Sequence, residues 1–231
     1  MPLKLYDLAA AEAERRFSPM CWRTKMSLRH KNLEVEELPW RFTEKDQIAF
    51  SGQGLVPVLV DGDKTICDSW EIARYLDNAY PDRPSLLGGA VGEAEALFIK
   101  FWCEQTIHPI VFRIVVLDVF EHIHEDDKPY FRQSREKRFR MPLEELAQPT
   151  EEQVKALQTA LNPVRSTLAH QTYLGGEQPC FADYILFGPF QFARSTSPMV
   201  LLSPSDPVYA WRDRLLDAFD GYARNAPGYP V

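Results

Sequence analysis

The fold turns on residues 55–69, Leu55-Val56-Pro57-Val58-Leu59-Val60-Asp61-Gly62-Asp63-Lys64-Thr65-Ile66-Cys67-Asp68-Ser69. The apolar run 55–60 has the length and composition of a buried strand. Asp61-Gly62 is a hairpin signal, and Thr65-Ile66-Cys67 supplies the returning strand. From Ser69 the period changes: Ile72, Tyr75, Leu76 and Ala79 fall on one face of a helix. Pro57 fits this run badly, because proline donates nothing to a ladder. It reads either as an edge-strand proline or as a cis peptide that turns the Val56 backbone outward, toward a peptide-like ligand.

Upstream, residues 3–8 form a short apolar run that starts a sheet. Residues 19–31 read as a helix, with Ser18 as N-cap and Pro19 at the first helical position. Residues 33–38 alternate as a half-exposed strand does. The order is strand, helix, strand, hairpin, helix, an α/β unit expected over residues 1–82. Pro81-Asp82-Arg83-Pro84 and Gly88-Gly89 mark a linker at 83–92. Residues 93–231 then read as all-helical. Ala94, Leu97, Phe98, Phe101 and Trp102 keep helical spacing. Ile107, Ile110, Val111, Ile114 and Val115 continue it, with Pro109 as a kink or break. Residues 125–150 are charged and hold Pro129, Pro142 and Pro149, so an irregular connection is expected there. Further helices are expected at 151–170, 181–195 and 207–219.

The 231 residues are 45% hydrophobic and 26% charged, which suits a globular chain able to bury a core. A net charge of −7 argues against partners that need a positive patch, nucleic acid or anionic lipid. The basic stretch Arg132–Arg140 is interrupted by Glu136 and followed by Glu144 and Glu145, so it reads as a solvated surface. Met1–Tyr6 has no charged leader before an apolar stretch, so no signal peptide is expected, and no apolar run reaches membrane-spanning length. Cys21, Cys67, Cys103 and Cys180 are far apart and form no Cys-x-x-Cys pair, which suits a reducing compartment. His122 and His124 stand two apart and would diverge on a helix, so no metal site is expected at 122–127.

Three places can carry chemistry. Ser18-Pro19-Met20-Cys21 puts a hydroxyl at the positive end of a helix, where it can donate to a sulfur and stabilise a thiolate. Asp68-Ser69 opens the second helix, where exposed amides suit a carboxylate and an aspartate suits an ammonium, the two groups of an α-amino acid. Pro57 completes the set. Each feature also has a plain structural reading as a helix cap or an edge proline. Tyr6, near the end of the first strand, rivals Ser18. Cys21 does not make a dithiol pair, because the partner position is Ser18. Phe98, Phe101, Trp102, Phe112, Phe187, Phe190 and Phe192 read as core at helical spacing, with those nearest the first domain available to line an apolar pocket.

Ser-Pro-x-Cys opening a first helix, then Leu-Val-Pro-Val-Leu, then Asp-Ser-Trp-Glu-Ile-Ala-Arg-Tyr-Leu together resemble the glutathione transferase superfamily, in that order and at those separations. Phe181-Ala182-Asp183-Tyr184 resembles the capping motif in the helical domain of that superfamily. The stretch Phe181–Pro198 resembles its etherase-related branch. The resemblance implies a thioredoxin-like N-terminal domain and an all-α C-terminal domain. It implies glutathione as co-substrate and a hydrophobic, aromatic electrophile as second substrate, in a cytoplasmic homodimer. Aryl-ether cleavage or non-catalytic carriage of a hydrophobic ligand are the alternatives on the same fold. By resemblance, Ser18 activates the thiol, Val56 before Pro57 pairs with the cysteinyl backbone, and Asp68 and Ser69 hold the γ-glutamyl end. Two positions depart from the pattern. Leu55 stands where many relatives carry Lys or Gln, leaving the glycine carboxylate to Arg41, Lys45 or Gln53. Cys180 stands where a Ser or Thr cap is common.

Overall fold

In Leu3–Leu8 (β1), Leu3, Leu5 and Asp7 are buried while Lys4 is exposed and Tyr6 half-buried, as a two-residue side-chain repeat dictates. A computed structural model of the chain describes residues 2–230. After β1 come α1 (Pro19–His30), β2 (Val35–Trp40), β3 (Val58–Asp61), β4 (Lys64–Cys67) and α2 (Ser69–Ala79). The sheet order is β2-β1-β3-β4, with β1 and β2 parallel and the other pairs antiparallel.

Two strands differ from the sequence expectation. β3 begins at Val58, not Leu55, because Pro57 has no N–H to offer; the ladder opens with Val58 against Tyr6 and Cys67. β2 lies two residues later than 33–38. Asn32 turns with φ 51° and the Leu33 N–H returns to the Leu28 carbonyl, closing the helix before pairing starts at Val35.

Asp7 points into the core from β1 and is fully buried. Burial of a lone carboxylate would be costly, and it is paired with Lys25 at 3.0 Å and Arg16 at 3.7 Å. Lys25 also reaches Glu37 at 2.9 Å. Burial alone would lower the Lys25 pKa, but Asp7, Tyr222 and Glu37 outweigh it and raise it above the ordinary lysine value.

The helical half holds α3 (Gly89–Trp102), a π-helical turn at Cys103–Ile107, α4 (His108–His122), α5 (Lys128–Phe139), α6 (Leu143–Leu146), α7 (Glu151–Ala160), α8 (Asn162–Leu168), α9 (Phe181–Thr196) and α10 (Pro207–Gly221). Pro109 does not break the path. It sits in the first turn of α4, and the wide turn before it absorbs the missing donor. Residues 125–150 are not the irregular connection expected. Pro129 starts α5 rather than interrupting it, and Arg132–Glu136 bridges one of its turns at 3.1 Å. The expected helix 151–170 is divided at Leu161, where Pro163 opens the second piece. Phe98 and Phe101 are exposed, at 71% and 47%, not core, because that face of α3 packs on nothing among the described residues. No helix among the described residues is long and apolar enough to cross a membrane.

Every residue of α9 is buried, so it is the central rod of the helical half. It packs against α1 across the two halves. A Cβ at Gly188 would stand 2.5 Å from the Pro19 carbonyl oxygen, so the backbones meet there with only a hydrogen between them. Asp183, in its first turn, accepts from the N–H groups of Leu174 (2.7 Å), Gly175 (3.0 Å) and Cys180 (3.0 Å) and from the Trp211 indole (2.8 Å). The carboxylate thus does the capping that the weak Cys180 acceptor does not. Burial nevertheless pushes the Asp183 pKa up, against the pull of those four donors.

Candidate functional site

The pairing register brings the three sequence features to one edge of the sheet. β1 ends at Leu8, and the Phe17 N–H returns to the Leu8 carbonyl at 3.3 Å, which seats Ser18 at that end. β3 runs antiparallel to β1 with Val58 opposite Tyr6, so Val56 and Pro57 lie beyond Tyr6 on the same side. Cys67 pairs with Val58, so Asp68 and Ser69 follow at that side too. β2 is parallel to β1 with Trp40 opposite Leu8, which places Arg41 there as well. The edge at the carboxyl ends of parallel strands is where open α/β sheets hold ligands.

Ser18 caps α1 with extended backbone, φ −62° and ψ 124°, and its Oγ accepts from the Cys21 N–H at 3.3 Å. It is 6% exposed. The same hydroxyl also lies within hydrogen-bonding reach of the Cys21 thiol, whose pKa it draws downward. Cys21, one turn on, is fully buried, and burial with Asp7 behind it holds the thiol well above its usual pKa. It is a neutral packing group, not a nucleophile.

The Val56–Pro57 peptide is cis. Neither the Val56 N–H nor its carbonyl bonds to another backbone group among the described residues. Asp68 holds φ 72°, unusual for a residue with a side chain, and its Oδ1 accepts from the Trp70 N–H at 2.8 Å and the Glu71 N–H at 3.4 Å. Ser69, 1% exposed, has an Oγ with no partner. Natural structures rarely leave a buried hydroxyl unmatched, so this atom has a hydrogen bond still to make.

The three candidates for a further carboxylate differ. Arg41 is committed to Glu44 and to the carbonyls of Ala10 and Ala11, both at 3.2 Å. Gln53 folds back on Leu55, donating to its carbonyl at 2.6 Å and accepting from its N–H at 2.7 Å. Lys45 donates to the Gly54 carbonyl and lies 4.9 Å from the Trp40 ring centre. Tyr6 packs its ring 5.5 Å from Phe50.

Beside Ser18 the two halves build an aromatic wall that sequence reading found only in part. Phe17 lies 6.2 Å from Phe42 and 6.4 Å from Phe192. Phe42 meets Tyr130 at 6.0 Å. Phe192 stacks on Phe112 at 6.5 Å, and Phe112 on Phe139 at 5.6 Å. Phe112 and Phe192 were legible as helix-face residues; Phe17 and Phe42 lie outside periodic segments, and only the position of Phe17 next to Ser18 hints at its role. A cavity of about 1350 Å³ lies not here but at the other end of α1, lined by His30, Leu86, Ala94, Phe98, Cys180 and Phe219.

Residues 13–84 match the family described as Glutathione S-transferase, N-terminal domain, and residues 94–199 match Glutathione S-transferase, C-terminal domain. Glutathione S-transferase 4 of Zea mays is 28% identical over 202 residues, spanning 84% of this chain and 82% of that protein. Two fungal crystal structures share the fold. Glutathione transferase GSTFuA3 from Phanerochaete chrysosporium superposes with a TM-score of 0.77 at 23% identity, over 97% of this chain and 94% of that one. Glutathione S-transferase CsGST63524 of Ceriporiopsis subvermispora, solved in complex with glutathione, gives 0.80 at 20% identity, over 96% and 98%. With a thioredoxin-like α/β half followed by a helical half, and a family match over each, the chain belongs to the glutathione transferase superfamily.

Proposed function

We propose that this chain is a glutathione transferase that binds glutathione along the sheet edge and directs its sulfur at an aromatic electrophile on the Phe42–Phe192 wall. The observation that carries the reading is the buried, unmatched Ser69 Oγ at the start of α2. A γ-glutamyl carboxylate would take that hydroxyl together with the helix amides, and the free oxygen of Asp68 would take the ammonium. The unpaired Val56 backbone suits the cysteinyl peptide unit. Lys45 is the best of the three for the glycine carboxylate, since its one bond is to the Gly54 carbonyl while Arg41 holds three bonds and Gln53 is folded onto Leu55 at both ends. The division at residues 83–92 would then separate a glutathione-binding half from the half that shapes the second pocket.

Ser18 would donate its proton to the sulfur and stabilise the thiolate, aided by the positive end of α1. The thiolate then attacks the ring carbon bearing the leaving group, which departs with the electron pair. Conjugation of a reactive chloroarene tests this. Ser18→Ala should lower kcat/KM about 100-fold, as loss of one donor to a reacting anion does. Full activity in that variant removes Ser18 from the role. The resemblance of Phe181–Pro198 to the etherase-related branch favours aryl-ether cleavage as a second reading, begun by the same thiolate; release of a phenol from an aryl ether separates the two. Exposed Val91, Leu97, Phe98 and Phe101 on α3 favour a homodimer, which sedimentation checks, and four free cysteines suit the cytoplasm.

A further inference from the structure

The aromatic wall carries more positive charge than its acids can match. Arg23, on α1 two residues beyond Cys21, is 1% exposed. Its Nη1 donates to Glu104 at 2.7 Å, while its Nε and Nη2 have no partner. Glu104 is shared, since Lys100 takes its other oxygen at 3.0 Å. Burial would raise the Glu104 pKa, but Arg23 and Lys100 hold it below the ordinary value. On α5, Arg135 lies half-buried, its guanidinium 4.6 Å from the Phe131 ring centre and 5.5 Å from that of Phe42. Its one hydrogen-bond partner is the Ser134 hydroxyl. Arg138 lies over Phe139 at 5.4 Å and has no acid partner among the described residues. The solvated surface expected for Arg132–Arg140 therefore applies to Arg132, which pairs with Glu136 and Glu144, and not to Arg135.

The other nearby acids are occupied. Asp127 accepts from the N–H groups of Phe42 (3.3 Å) and Thr43 (2.9 Å) and from the Thr43 hydroxyl. Glu44 serves Arg41. Between these cations, His108 packs 5.8 Å from Phe192 and 6.2 Å from Phe112, and its Nδ1 is buried without a partner. Burial, then Arg23, Arg138 and Arg135, lower its pKa to about 4 with only Glu104 opposing, so at neutral pH it is a neutral imidazole among guanidiniums.

We propose that the second substrate is an aromatic carboxylate, its ring on the Phe42–Phe112–Phe192 wall and its anionic group between Arg23 and Arg135, with Arg138 at the rim. The unpartnered buried donors of Arg23 are expensive to leave open, and a carboxylate takes two of them at once in a planar fork while facing the half-buried Arg135. This deepens the glutathione transferase reading and rests on it.

Titration calorimetry on the glutathione-loaded protein, with 3,5-dinitrobenzoate and its methyl ester as matched probes, tests the proposal. The acid should bind about 10-fold tighter than the ester, the scale of a hydrogen bond to a charged group. Arg135→Gln should bring that ratio to near one, and Arg135→Lys should restore part of it. An ester that binds as tightly as the acid, or a ratio unmoved by Arg135→Gln, overturns the proposal. Titration with glutathione alone runs in parallel. Failure there overturns the transferase reading itself, whereas glutathione binding with an acid-to-ester ratio of one overturns only the carboxylate.

Discussion

The first turns of α2 and α9 are built from similar parts and end in opposite states. In α9 the Asp183 carboxylate takes four N–H donors and leaves no polar atom of its own open. In α2 the Asp68 carboxylate takes two, and the neighbouring Ser69 hydroxyl takes none. A closed set of partners marks a group that holds the fold together; an open one leaves a hydrogen bond still to be made.

This contrast breaks most visibly at Asp183. Asp183→Ala strips the acceptor from four donors, three of them backbone, and should destabilise the protein by about 3–5 kcal/mol, read as a lower denaturant midpoint. Ser69→Ala should do the reverse: stability within about 0.5 kcal/mol of wild type, since no internal bond is lost, but glutathione affinity down about 10-fold by calorimetry. If Ser69→Ala unfolds the chain while Asp183→Ala does not, the contrast is wrong.

His108 sharpens the comparison, because its buried nitrogen is open like Ser69 but also titrates. The unfolded imidazole takes its proton near its ordinary pKa, about 6.5. The folded one does so only at about pH 4. Between those values the unfolded chain binds more protons, so stability should be full above pH 6.5 and fall as the pH drops toward 4. In His108→Phe the denaturant midpoint should lose part of that slope. The smallest effect is expected at Tyr6, whose ring packs on Phe50. Tyr6→Phe should leave conjugation within about twofold; a loss as large as that of Ser18→Ala would move the thiol-activating role to Tyr6.

Much of the fold was legible because its signals are local. Ser18-Pro19 places the start of α1 to the residue, and Asp61-Gly62 places the hairpin. The signals that failed are those that proline sends both ways. Pro129 opens a helix where a charged, proline-bearing stretch reads as a break, and Pro163 opens a second helix inside a stretch that reads as one. The order Ser18, Pro57, Asp68, Ser69 was readable because each residue sits at the end of an element. That Ser69 has no partner, and that Arg135 lies against Phe42, are facts of packing between distant segments. No spacing in the chain encodes them. Helical periodicity on α5, Phe131 with Arg135 and Arg132 with Glu136, was the one signal available for that helix.

The meeting of Gly188 with Pro19 has a further consequence. The Ser18 hydroxyl belongs to the first half of the chain, yet the residue after it meets a rod from the second. One added methyl on that rod would shove the start of α1 aside and carry Ser18 with it. The N-terminal half expressed alone would therefore keep every residue named along the sheet edge, with Phe17 and Phe42, and still lack Phe112 and Phe192, the share of the aromatic wall that the helical half supplies.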